Sequence, residues 1–331
     1  MSFWSNKKIF ITGATGFVGF WLTQKLVDEG AAVVALVRDH DPQSALYRSG
    51  LINQIAVVSG SLESYDTLER TLCEYEIETI FHLAAQTIVG TAKKAPLITF
   101  EANIRGTYNL LEACRRQQST VERIVIASTD KAYGTSAVLP YTENMPLMGN
   151  FPYDVSKSCC DLIAQSYFQT YGLPLTISRC GNIFGGGDLN WSRIIPGTIR
   201  SLLRSEAPLI RSDGTFIRDY IYVKDVVDAY LLLAEKVQES AVMGQAFNFA
   251  PSKPHMVLEI VKTVQKLMDC PHIEPRILNQ AEAEIKDQFL TSQKAKNRLG
   301  WSSQYSLEEG LEETIQWYRN FFISKENYAL C

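Results

Sequence analysis

The sequence lacks several features that would each have pointed to a class of function. No apolar run approaches the length needed to cross a bilayer, and the start, Met1 to Lys8, has no apolar core of a secretion signal. Membrane partners are therefore not expected, and the cytoplasm is the expected location. Basic character is also missing. Lys and Arg number 32 against 36 Asp and Glu, the net charge is -4, and no basic block interrupts the chain, so nucleic acid is not expected as a partner. Histidine is scarce, four residues without metal-ligand spacing, so no metal is expected. The seven cysteines (Cys73, Cys114, Cys159, Cys160, Cys180, Cys270 and Cys331) contain no Cys-x-x-Cys pair, and their odd number argues against a disulfide framework. Internal repeats and low-complexity segments are absent as well.

What is present is an ordinary globular mixture. The 331 residues are 46% hydrophobic and 21% charged, enough for one large domain or two intimately joined ones. A short apolar strand, Lys8-Ile9-Phe10-Ile11-Thr12, runs directly into Gly13-Ala14-Thr15-Gly16-Phe17-Val18-Gly19 and then an amphipathic helix to about Glu29. Each glycine has its own reason. Gly13 makes the tight turn, Gly16 lets backbone approach a pyrophosphate, and Gly19 packs helix on strand. The helix start, with Thr15, Phe17 and Val18, then faces the phosphates of a dinucleotide.

Strand and helix alternate about six times up to Cys180, which predicts a doubly wound parallel α/β sheet of Rossmann type with right-handed crossovers. The second strand, Ala32 to Val37, ends in Arg38-Asp39. Arg38 suits a ribose 2′-phosphate and favours NADP, while Asp39 is able to serve NAD. After the third strand, Ser61 and Leu62 stand at the expected adenine pocket. His82-Leu83-Ala84-Ala85 ends the fourth strand with small residues that let backbone pass close to a cofactor; His82 reads as packed or hydrogen-bonded. A long helix is predicted from Pro96 to about Gln118, carrying Asn103 and Gly106.

The fifth strand, Ile124 to Ala127, delivers Ser128-Thr129-Asp130-Lys131 to the carboxyl edge of the sheet, where ligands bind in such folds. The following helix, opened by Pro152, carries Tyr153 and Lys157 four residues apart on one face. A Lys ammonium beside a phenol lowers its pKa, and the pair becomes a base for an alcohol proton. Cys159-Cys160 on this helix reads as packing.

After Cys180 the texture changes. Gly181-Asn182-Ile183-Phe184-Gly185-Gly186-Gly187-Asp188 reads as flexible and polar, and shorter elements follow, with helices near 194–203, 225–237, 256–268 and 306–322. The expected division is a dinucleotide-binding domain over 1–180 and a smaller mixed α/β substrate region over 181–331, with some later segments returning to the first. Arg179, Arg193, Arg211 and Arg218 lie in or beside its loops, and Arg pairs bidentately with phosphate. A diphosphate substrate is expected, held by Gln86, Asn182, Arg193 and Arg218.

Together, Gly13-x-x-Gly16-x-x-Gly19, His82-Leu83-Ala84-Ala85, Asn103-x-x-Gly106-Thr107, Tyr153-x-x-x-Lys157, Arg179-x-x-Asn182 and Arg218-Asp219-Tyr220 resemble the extended short-chain dehydrogenase/reductase family over nearly the whole chain. The resemblance implies a tightly held NAD or NADP, a sugar nucleotide substrate, Thr129, Tyr153 and Lys157 as catalytic triad, and Asn182 and Arg218 at the diphosphate. It also implies a homodimer through the helices near 96–118 and 152–171. Thr129-Asp130-Lys131, Gly185-Gly186-Gly187-Asp188 and Arg193-Ile194-Ile195-Pro196 are similar to the CDP-glucose 4,6-dehydratases, whereas Arg38, Ser61 and Arg218-Asp219-Tyr220 depart from that group. The implied reaction is oxidation at C4, elimination of water across C5 and C6 with Asp130 as acid and Lys131 as base, and reduction at C6. The rivals are a 4-epimerase on the same triad and an NADP-binding sensor without catalysis.

Overall fold

The computed structural model describes residues 2–280 and 285–328; Met1 and Cys331 lie outside it. In chain order the strands are β1 (Lys8–Thr12), β2 (Ala32–Val37), β3 (Ala56–Ser59), β4 (Thr79–His82), β5 (Arg123–Thr129), β6 (Leu175–Cys180), β7 (Asn182–Phe184), β8 (Leu209–Ile210), β9 (Ile217–Arg218), β10 (Tyr220–Tyr222), β11 (Ala246–Phe249), β12 (His255–Met256), β13 (Arg276–Ile277) and β14 (Asp287–Gln288). Seven of them form one parallel sheet in the order β11-β6-β5-β4-β1-β2-β3.

Alternation along the strands explains the two-sided burial. Ile9, Ile11, Val33 and Ala35 pack on one face with Leu22 and Leu26 of helix Phe17–Asp28 and with Val226 and Leu233 of helix Val223–Lys236. Phe10, Val34, Ile124 and Ile126 point to the other face, against Leu68, Leu110, Leu111 and Ala164. Strands buried on both faces read as continuous apolar runs. The order reverses between β1 and β4, so the ligand crevice at the strands' carboxyl ends opens there. β11, from beyond residue 181, completes the sheet beside β6.

Two local expectations are corrected. The helix from Pro96 is not uniform. It runs as Pro96–Phe100, a π turn Glu101–Arg105, and Gly106–Arg116, preceded by a separate short helix Val89–Lys94. Such wide turns leave a backbone position free to make other bonds. The glycine segment after Cys180 is also not flexible in its setting. Asn182–Phe184 is β7, paired with β10. Trp21 Nε1 donates to the Gly186 carbonyl at 2.7 Å, and a Cβ on Gly186 would lie 2.2 Å from the Trp317 ring. Around β7 and β10, helices Ile194–Leu203, Val257–Leu267 and Leu307–Tyr328 build a smaller core from Phe184, Ile199, Tyr222, Val264 and Tyr318. Among the described residues no helix is long and apolar enough to cross a membrane.

Candidate active site

The site begins at the glycine turn. Gly13 has φ +86°, and a Cβ there would sit 2.8 Å from the Ala84 backbone N, so the β1 and β4 ends touch through bare backbone. A Cβ on Gly19 would meet the Gly13 carbonyl at 2.0 Å, which makes Gly19 the packing glycine. Gly16 is different: it is exposed, has no positive φ, and its nearest neighbour would be 3.1 Å away. The fold alone asks little of Gly16, and the surface it leaves flat, at a helix start with no side-chain cap, fits a phosphate. Thr15, Gly16 and Phe17 line a cleft of about 200 Å³ together with Asp188 and Arg193, while Val18 packs partly into the core. A dinucleotide therefore fits the residues present.

The neighbouring loops are tied down from behind. Leu83 N and Ala84 N donate to the Thr12 carbonyl and hydroxyl at 3.1 and 3.2 Å, and Ala85 continues this partly buried turn. Asn109 Nδ2 donates to the carbonyls of Leu62 and Glu63, both at 3.1 Å, which fixes the turn carrying Ser61. His82 is buried between the hydroxyls of Thr12 (2.8 Å) and Thr107 (3.1 Å), and burial drives its pKa down to about 3. Arg38 and Asp39 are exposed and paired with each other at 2.6 Å. Asn103, expected at the cofactor, brackets two elements. In the π turn its Oδ1 accepts from Gln86 N (2.7 Å), and its Nδ2 donates to the Gln86 carbonyl (3.2 Å) and Ser156 Oγ (2.8 Å). Its amide is thus spent on joining the loop after β4 to the helix of Tyr153. Cys160, one turn on, packs here as expected, its Sγ 3.1 Å from the Asn103 carbonyl.

The chemistry gathers where β5 ends. Thr129 Oγ1 donates to Asp130 Oδ1 at 2.8 Å and shares a hydrogen bond with the Tyr153 phenol. Asp130 is 2% exposed, and its Oδ2 is buried without a partner. Lys131 and Asp130 are not an ion pair; Lys131 Nζ instead donates to Gln288 Oε1 on β14 at 3.1 Å. The Lys157 ammonium, expected to lower the Tyr153 pKa, meets a strand carbonyl. Lys157 Nζ donates to the Ala127 carbonyl at 2.5 Å, and burial lowers its pKa. Burial pushes the Tyr153 phenol well above its ordinary value, opposed first by the charge of Arg193 and also by the bond to Thr129. Spacing on the helix put both side chains on one face, but the ammonium turns to a strand carbonyl.

The substrate-side residues divide. Gln86 sits in the Asn103 bracket, with its side chain accepting from Ile88 N at 2.9 Å. Asn182 Nδ2 is buried without a partner, a donor left for something else. Arg193 lines the cleft and pairs with Asp188 at 2.8 Å. Arg218 is buried and donates to the carbonyls of Ile217, Ile285 and Lys286. Arg211 is exposed beside β8. Arg179 is not a phosphate handle. It is 2% exposed, clamps Asp161 through Nε (2.7 Å) and Nη2 (2.9 Å), and donates from Nη1 to the Tyr133 hydroxyl at 2.8 Å.

Sequence reasoning missed that Tyr133, Asp161 and Asn248 form a network with Arg179; Tyr133 donates to Asn248 Oδ1 at 2.7 Å. Asp161, one turn beyond Lys157, carried a faint signal, since a charge on the buried face needs a partner. Gln288 and Asp154 gave none. Asp154 is held up at about 6 by burial, against the nearby charge of Lys131. Among the described residues no three His, Cys, Asp or Glu side chains group as metal ligands.

Residues 10–314 match the family model described as GDP-mannose 4,6 dehydratase. The chain belongs to this family. A relative in the wider group, the CDP-glucose 4,6-dehydratase of Salmonella typhimurium, is 29% identical over all of this chain and 95% of its own length. Among solved structures, a dTDP-glucose 4,6-dehydratase from Streptomyces venezuelae with NAD bound superposes with a TM-score of 0.84 at 26% identity, covering 95% of this chain and 97% of that one. A UDP-glucose 4-epimerase from Thermotoga maritima reaches a TM-score of 0.85 at 28% identity, covering 95% and 99%. Dehydratases of this family and 4-epimerases thus share the scaffold, and the choice between them falls to individual side chains.

Proposed function

We propose that this chain is an NAD(P)-dependent sugar nucleotide 4,6-dehydratase that forms a 4-keto-6-deoxy sugar nucleotide. The observation that carries the reading is Asp130. It is a buried carboxyl one residue from the triad Thr, with one oxygen bonded to that Thr and the other bare. A 4-epimerase has no use for such a group, because it only removes and returns hydride and proton at C4. An elimination needs an acid and a base at neighbouring carbons.

The bound nicotinamide supplies the acceptor for hydride from C4 and the donor of hydride to C6. Tyr153 takes the C4 hydroxyl proton, with Thr129 holding the phenol. The new ketone acidifies C5. Lys131 takes the C5 proton, and Asp130 protonates the departing C6 hydroxyl as water. The C5 proton returns after reduction. Over one turnover, then, the Tyr153 end gains a proton and the Asp130 end loses one. Thr129, hydrogen-bonded to both, is the relay that closes this gap. Lys157, one turn along the same helix from Tyr153, completes the triad and is fixed by the Ala127 carbonyl.

The finer assignments rest on narrower support. Thr15, Gly16, Phe17, Val18, Ser61, Leu62 and the Leu83-Ala84-Ala85 turn hold the cofactor. Arg38 favours NADP over NAD, its exposed guanidinium being held beside β2 by Asp39. Asn182, Arg193 and Arg218 hold the diphosphate, and CDP-glucose is the first substrate to try. A homodimer is supported by Leu97 (69% exposed), Ile98 (60%) and Leu162 (54%) on the helices around 96–116 and Pro152–Tyr171. The test is a panel of CDP-, UDP-, GDP- and dTDP-hexoses followed by mass spectrometry. Loss of one water from a member of the panel is expected; isomerisation without water loss would transfer the assignment to the epimerases.

A further inference from the structure

Arg218-Asp219-Tyr220 stood out in the sequence, yet nothing so far gives Asp219 a task. It lies between β9 and β10 with 0% exposure. Its Oδ2 accepts from Leu290 N at 2.6 Å, and its Oδ1 is buried without a partner. Its place relative to Asp130 follows from strand register. Thr129 pairs with Cys180 across β5 and β6, so Asp130 and Gly181 are the next residues on adjacent strand ends. A Cβ on Gly181 would come within 2.7 Å of Asp219 Cβ, so the carboxyl lies directly over the residue beside Asp130.

Two buried carboxyls therefore lie near each other, each with one bare oxygen. Among the described residues neither carboxyl has an ion-pair partner within 4 Å: Arg218 donates to three carbonyls and Lys131 to Gln288. Two ionised carboxylates in such a setting repel each other and cannot both be stable, whereas one proton between them turns one bare acceptor into a donor for the other. We infer that Asp219 is a positioning residue for the elimination: it shares one proton with Asp130 and so keeps an acid available at the C6 hydroxyl in neutral solution. The inference rests on the dehydratase reading of Asp130.

The electrostatics agree. Burial holds the Asp219 carboxyl up at about 8, the Leu290 N–H opposes it, and the charge of Asp130 adds to it. Tyr141, Tyr153, Asp154 and Cys180 also feel the Asp130 charge. Of these Asp154 is the other acid, held up at about 6 and near Lys131. The shared proton, passed from Asp219 to Asp130, goes to the leaving hydroxyl and leaves both carboxyls ionised. The pair is refilled by the proton that Tyr153 took from C4, through Thr129, so no outside acid is consumed.

Infrared or carbon-13 titration of the whole chain, with aspartate labelled at the side-chain carboxyl, reads the pair without any substrate. A protonated carboxyl is expected at pH 7, lost with a midpoint of about 8. Asp219→Asn should abolish that signal, Asp130→Asn should lower its midpoint by roughly one unit or more, and Asp154→Asn should leave it in place. Absence of a carboxyl titrating above pH 7, or a midpoint unmoved in Asp130→Asn, would overturn the inference; the second arm holds even if Asp219→Asn does not fold. With a sugar nucleotide that wild type dehydrates, Asp219→Asn should slow water loss roughly 10²-fold while C4 oxidation persists. Unchanged water loss in that variant counts against the pair. A wild type that shows the titration but dehydrates nothing counts instead against the dehydratase reading.

Discussion

At the scale of single residues, the site depends on groups whose solvent has been removed. Tyr153 is 8% exposed, and burial raises its phenol, so proton abstraction requires the opposing pull of Arg193 and the Thr129 bond. Tyr153→Phe should therefore lower turnover by roughly 10²–10⁴-fold, with the melting temperature little changed, and paired activity and melting measurements check this. Asp130→Asn separates the steps. The C4 hydride should still leave but elimination should stall, so stopped-flow absorbance of the reduced cofactor should persist where wild type shows a brief transient. Rapid, complete turnover in that variant would remove Asp130 from the role of acid. Thr129, Asp130 and Tyr153 were legible because a strand end and a helix first turn fix their positions. The partner of Lys157 was not, since i and i+4 spacing gives a shared face and not a rotamer. Asp219 was invisible as a neighbour of Asp130 because it lies 89 positions further along the chain.

At the scale of elements, the glycine turn and the helix of Tyr153 do most of the positioning. Gly19→Ala places a methyl against the Gly13 carbonyl, which is backbone and has no room to yield. That variant should lose cofactor binding and melt at lower temperature, measured by nicotinamide titration and thermal unfolding. The Arg179–Asp161 pair joins β6 to the helix of Tyr153, with side chains 3% and 0% exposed. Asp161→Ala leaves a buried guanidinium without its counter-charge, and urea unfolding should show a loss of about 3–5 kcal/mol. The strands were readable because their apolar runs are short and bounded by glycine and polar turns. The π turn at Glu101–Arg105 was not, because its cause is tertiary: Asn103 is needed at Gln86 and Ser156 at once. Arg179 was misread for the same reason, its partner lying on another element.

At the scale of the whole molecule, buried titratable groups set the pH range of stability. Asp219 sits at about 8 against an ordinary 3.8, so the folded state binds its proton more tightly, and this contribution falls as pH rises from about 4 to about 8. His82 has the opposite sign. Its pKa is about 3 against 6.5, so its contribution is present above 6.5 and is lost as pH falls toward 3. Urea midpoints should therefore decline on both sides of mildly acidic pH, and His82→Gln should flatten the acid side. The alternation of strand and helix made the sheet legible from end to end up to β6, but the return of β11 to its edge depends on packing against β6 that no local pattern encodes. The central claim is an internal hydride cycle, and isotope tracing tests it most directly. A sugar nucleotide carrying deuterium at C4 should give a 4-keto-6-deoxy product with that deuterium in the C6 methyl group and no net change in cofactor. Deuterium retained at C4 of an isomer, or lost to solvent, would contradict it.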